Sequence, residues 1–111
     1  LKVKKGADVK GLSEQVWFAL GVCAAESRQL GVGLVVTSGR DGAHRPGSLH
    51  YTGNAVDIRT RDLSPAAQKD FHEYLKGLLD RLGFDVVLER DHLHIEWDPK
   101  KTDIPWLQEV A

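Results

Sequence analysis

The chain has 111 residues, the size of one domain and too short for two independent cores. Its 15 Lys and Arg nearly balance 16 Asp and Glu, so it lacks the overall positive field that general nucleic-acid binding exploits. Cys23 is the single cysteine, which excludes an intramolecular disulfide and a cysteine-based zinc knuckle.

No repeat or low-complexity linker divides the sequence, and residues 1–111 read as one α+β domain. Ser13 is placed to cap a helix from Glu14 to about Leu30, with Val16, Leu20, Cys23 and Leu30 along one side and Gly31 past its end. The apolar runs Val16 to Ala25 and Val32 to Val36 fall far short of a membrane span, so no membrane insertion is expected. No charged-then-apolar leader opens the chain, and the start at Leu1 with no Met is expected of a trimmed product. Leu34 to Thr37 reads as a short buried strand, and Ser38 to Gly47 as a loop.

After Gly53, Ala55 to Ile58 read as a second strand, with Ala55 and Asp57 on one face and Val56 and Ile58 on the other. Ser64 and Pro65 form a cap and first-turn pair. Phe71, Tyr74, Leu75, Leu78, Leu79 and Leu82 then recur at helical spacing up to Gly83. Phe84 to Trp97 reads as a hairpin turning at Arg90 and Asp91. In that register Glu89 faces His92, Val87 faces His94 and Asp85 faces Glu96 on a polar side, opposite Phe84, Val86, Leu88, Leu93, Ile95 and Trp97. A longer or bulged turn would shift Glu89, because Arg-Asp is not a favoured primed-turn pair. The expected architecture is a mostly antiparallel sheet with two main helices on one face.

Four of the five histidines, His44, His50, His92 and His94, lie outside the helices, where strand ends and loops converge. His72, on the second helix but off its leucine stripe, is expected to be solvated. His50 at a loop end and Asp57 seven residues later supply an imidazole and a carboxylate, both good zinc donors, and His94 supplies a third. Gly53 and Ala55 between them remove bulk where a metal must approach. Two histidines and one carboxylate leave a fourth zinc position for water. Taken singly, each of these residues also reads as an ordinary hydrogen-bonding or capping group.

Ser48-x-His50-x-x-Gly53-x-Ala55-x-Asp57 followed by His92-x-His94 resembles the signature of the zinc D-Ala-D-Ala carboxypeptidase and L-Ala-D-Glu endopeptidase family, and of its relative, the hedgehog signalling domain. Asp41-Gly42-x-His44 ahead of that run is especially similar to the hedgehog version, whereas Asp91-x-x-His94-x-Glu96 is similar to the endolysin-type peptidases. The similarity runs from about Leu34 to Trp97 and implies that His50, Asp57 and His94 bind Zn²⁺. Only Asp41 has a counterpart in the hedgehog calcium cluster, so calcium is not expected.

The peptidase resemblance implies a monomeric zinc metallopeptidase cutting a peptide bond in bacterial peptidoglycan stem peptides, acting at the cell wall or periplasm. Hydrolysis needs a proton acceptor beside the metal. Glu89 fits by strand parity, with His92 assisting, and Asp91 fits by standing three residues before His94. Arg40, with Arg45 as an alternative, and His44 are expected to contact substrate, since a guanidinium offers a rigid fork of donors. Glu96 is placed to orient His94 from behind the metal. Trp97 and Trp106 are expected to close the core rather than form a stacking wall. The rival reading keeps the three ligands and discards the reaction: a hedgehog-type zinc module that recognises a protein or cell-wall partner.

Overall fold

Local capping decides where the two helices begin. In the computed structural model, which describes residues 1–98, Ser13 Oγ accepts the Val16 N–H and opens helix α1 (Glu14–Leu30). Gly31, at φ 67°, closes it. Val16, Ala19, Leu20, Cys23 and Ser27 form its buried face. Ser27 joins this face because its hydroxyl is used: Oγ donates to the Val32 carbonyl and accepts the Leu34 N–H at 3.1 Å, while Leu30, at the end of the expected stripe, packs partly buried against the same core. Helix α2 (Pro65–Leu79) starts at Ser64, whose Oγ accepts the Ala67 N–H, with Pro65 in its first turn. A short 3₁₀ turn (Asp80–Leu82) carries the chain to Gly83.

Among the described residues the sheet has five strands, β1 (Lys2–Val3), β2 (Val35–Ser38), β3 (Ala55–Arg59), β4 (Phe84–Leu88) and β5 (His92–Trp97), in the spatial order β1-β2-β3-β5-β4. Only the β1–β2 pair is parallel among the described residues. Strand β1 escapes sequence reading because two residues carry no period.

The hairpin keeps its expected register: Val87 pairs with His94 and Asp85 with Glu96, and the Glu89 N–H donates to the His92 carbonyl at 2.9 Å. No non-glycine residue takes positive φ among the described residues, so the Arg90-Asp91 turn is not of the primed type. Alternation along the strands then separates two faces. Val36, Val56, Ile58, Val86, Leu93 and Ile95 are buried under the helices with Phe71, Leu75 and Leu79, and Trp97 packs on the rim of this core. Asp57, His94 and Glu96 point to the opposite side. His72 is not solvated: its Nε2–H donates to the Val86 carbonyl on edge strand β4 at 3.0 Å, satisfying an acceptor that an edge strand otherwise leaves to solvent. No helix among the described residues is long and apolar enough to cross a membrane.

Candidate metal centre

Two of the three expected ligands meet through strand pairing. Asp57 on β3 lies directly opposite His94 on β5, and parity sends both side chains to the polar face. A register shift between Val36 and Ser38 aligns Ser38 with Asp57 on the other side. His50 arrives from a 3₁₀ turn (Leu49–Thr52). Ser48 Oγ accepts the His50 N–H at its start, and Gly53, at φ 77°, donates its N–H to the His50 carbonyl at its end. The imidazole is almost wholly buried, at 2% exposure.

One donor atom from each of His50, Asp57 and His94 lies within 4.8 Å of the others. His50 Nε2 is 3.4 Å and His94 Nδ1 2.9 Å from Asp57 Oδ1. Donors around a tetrahedral zinc at its usual bond lengths stand about 3.3 Å apart, so these separations suit the ion.

The remaining ring nitrogens are held from behind. His50 Nδ1–H donates to the Gly39 carbonyl at 2.7 Å, which turns Nε2 toward Asp57. His94 Nε2–H donates to Glu96 Oε1 at 2.8 Å, which turns Nδ1 inward. Such partners fix the tautomer a metal needs. The hydrogen bond to Asp57, with Glu96 assisting, outweighs burial and raises His94 to about 9. Burial alone would raise the Asp57 carboxyl, but the hydrogen bonds from His50 and His94 carry it well below the ordinary carboxylate range. Without metal, therefore, a protonated His94 neutralises Asp57 where a cation would otherwise do so.

The other expected site residues distribute unevenly. His92 joins the group: its Nε2 is 3.8 Å from Asp57 Oδ1 and 3.2 Å from Glu89 Oε2. Its Nδ1–H donates to Asp91 Oδ1 at 2.7 Å and holds that carboxyl below its ordinary range. Glu89 thus stands on the rim, linked to the centre through His92. His44 stacks on His50, with ring centroids 3.9 Å apart and planes 5° from parallel.

Arg45, Glu89 and Asp98 line an open cleft of about 960 Å³ over the three ligands. Arg40 stands apart, its guanidinium packed against Gly11 of the segment before α1. Trp106 lies outside the described residues. Sequence reasoning missed Gly39 as the acceptor for His50. It also missed Tyr51, whose hydroxyl accepts the His44 N–H and donates to the His44 carbonyl. A backbone acceptor leaves no residue-type signal, whereas Tyr51 sits inside the His50 motif and was readable.

The sequence model of the hedgehog amino-terminal signalling domain matches residues 14–97. Among curated proteins, the chain is 43% identical over 76 residues to the Indian hedgehog protein of Gallus gallus, covering 63% of this chain and 17% of that protein. The same identity and the same 63% of this chain hold for the Tiggy-winkle hedgehog protein of Danio rerio (16% of that protein) and the Sonic hedgehog protein of Xenopus laevis (15%). The chain therefore spans about a sixth of the length of these relatives.

These matches correct the enzymatic expectation. The expectation of a zinc carboxypeptidase or endopeptidase, a hydrolase that degrades cell wall with a peptidoglycan stem peptide as its partner, is overturned by the signalling-domain match and its relatives. The physical reason is that the His-Asp-His trio is common to both resemblances and cannot separate them. The match extends well beyond the trio, across both helices and the whole sheet from β2 onward.

Proposed function

The chain belongs to the hedgehog amino-terminal signalling domain family, and from that premise we propose that it is a non-catalytic recognition domain, 1–111, built around one zinc ion held by His50, Asp57 and His94. Two imidazoles and a carboxylate are a donor set suited to zinc. When bound, zinc supplies a fixed positive charge that ties β3, β5 and the His50 turn together. Because a site formed only in the folded chain converts binding energy into folding energy, the ion stabilises the polar face.

The cleft above the trio is the proposed docking surface for a protein partner, and a zinc ion held by His50, Asp57 and His94 would keep a position for one further ligand. Glu89, His92, His44 and Arg45 then contact the partner. Glu89 and Arg45 stand on the cleft with opposite charges, an arrangement that orients a docking protein more than it tightens it.

The observation that supports this reading is the approach of the three donors to one point with their rear nitrogens already engaged. Purified full chain should retain close to one zinc after dialysis and lose it in His50→Ala. Zinc-loaded chain should compete with labelled signalling domain of Gallus gallus Indian hedgehog protein for binding to responsive cells, and His50→Ala should not. A folded, zinc-loaded chain that fails to compete overturns the recognition reading, and a metal-free wild type overturns the zinc.

A further inference from the structure

The segment leading into α1 touches the metal centre at two places, and both govern His50. We propose that Asp41 is a positioning residue for the metal centre: its carboxylate clamps the Asp8–Ser13 strap to the Gly39 peptide, whose carbonyl aims the His50 ring. This rests on the zinc reading above.

Asp41 Oδ1 accepts the N–H of Asp8 at 2.7 Å and of Gly39 at 2.8 Å. In return the Asp8 carbonyl accepts the Arg40 N–H at 2.9 Å. One carboxylate and one backbone bond thus lock two distant stretches of chain on either side of Gly39. The approach is so close that a Cβ at Gly39 would collide with the Asp8 carbonyl oxygen. A carboxylate accepting two backbone N–H groups makes charge-assisted bonds, stronger than neutral ones. Consistent with this, Asp41 ionises below its ordinary range, although its partial burial works the other way.

Two further contacts carry the constraint to His50. The Asp41 carbonyl accepts His44 Nε2–H at 2.8 Å, and the His44 ring lies flat on His50. At the far end of the strap, the Ser13 N–H donates to the Gly53 carbonyl at 2.9 Å, and a Cβ at Gly53 would collide with the Gly11 carbonyl oxygen. Gly53 closes the turn that bears His50. The strap therefore pins both the acceptor behind the ring and the backbone beneath it. The sequence singles out Asp41 as the one counterpart of a calcium cluster, yet its Oδ1 is committed to backbone donors.

The test uses the full chain and the variants Asp41→Ala and Asp41→Asn, titrated with zinc against a chelating competitor and with Co²⁺ for its visible ligand-field bands. Asp41→Ala should weaken zinc by about 10- to 100-fold, the usual effect of losing a group that orients a ligand, and should shift the Co²⁺ bands. Asp41→Asn retains an oxygen acceptor and should recover most of the affinity. If Asp41→Ala melts earlier but binds zinc within about twofold of wild type, with unchanged Co²⁺ bands, Asp41 is only a loop staple and the proposal is overturned.

Should Asp41→Ala fail to fold, hydrogen exchange in the wild type decides. Zinc should slow exchange of the Asp8 and Gly39 amides, and unchanged rates overturn the clamp. Wild-type zinc binding, measured first, separates the two readings: a zinc-binding wild type with an indifferent Asp41→Ala removes the clamp alone.

Discussion

Zinc uptake should expel a proton from His94, and the amount is set by how the metal-free centre is charged. Between the Asp57 and Glu96 carboxylates the imidazole is raised from 6.5 to about 9, so at pH 7 it is protonated in all but ~1% of molecules. A metal at Nδ1 requires the neutral ring. Binding at pH 7 should therefore release close to one proton per zinc, and apparent affinity should climb ~10-fold per pH unit, ~100-fold in all, before levelling near pH 9.

Metal-free stability runs the opposite way. A folded-state value above the unfolded one contributes stability that is complete below about pH 6.5 and fades as pH rises through 9. Titration calorimetry in two buffers of different ionisation enthalpy counts the protons directly. Release of none at pH 7, with zinc bound stoichiometrically, would refute the placement of His94 Nδ1 on the metal.

Three further outcomes follow from the same geometry. Glu96→Gln removes the charge that holds His94 Nε2–H and should weaken zinc by about 10- to 100-fold while lowering the pH at which affinity levels off, read by chelator competition. Thr60 is wholly buried and its Oγ1 has no hydrogen-bond partner among the described residues. Thr60→Val should therefore stabilise the chain by about 1 kcal/mol, seen as a melting point a few degrees higher. Gly53→Ala forces a side chain into φ 77° and onto the Gly11 carbonyl oxygen, and should cost more than ~1 kcal/mol in denaturant unfolding while also weakening zinc.

Much of this site is legible without coordinates because strand parity is a strict rule. The alternation that buries Val56, Ile58, Leu93 and Ile95 must send Asp57 and His94 to the other face, and antiparallel pairing of β3 with β5 puts them opposite each other. Capping at Ser13 and Ser64 was equally readable, since hydroxyl caps depend on local sequence alone.

What escaped reading is long-range and carried by backbone. The Gly39 carbonyl behind His50, the strap from Asp8 to Ser13, and the two-residue strand β1 have no periodicity or residue-type signature. Arg40 offers the fork of donors that suits a substrate carboxylate, yet the loop turns it against Gly11. Function was misjudged for a different reason: metal ligands report coordination chemistry, and whether a bound ion has a substrate to act on depends on surface that the ligands do not encode.

X-ray absorption on zinc-loaded full chain tests the central claim most directly. Two imidazole nitrogens and oxygen donors at about 2.0–2.2 Å, with no sulfur, are expected. The absence of sulfur follows because Cys23 is wholly buried under the helices with its thiol pushed up to about 12. A sulfur scatterer at about 2.3 Å, or a spectrum with only one imidazole, would contradict a centre built from His50, Asp57 and His94.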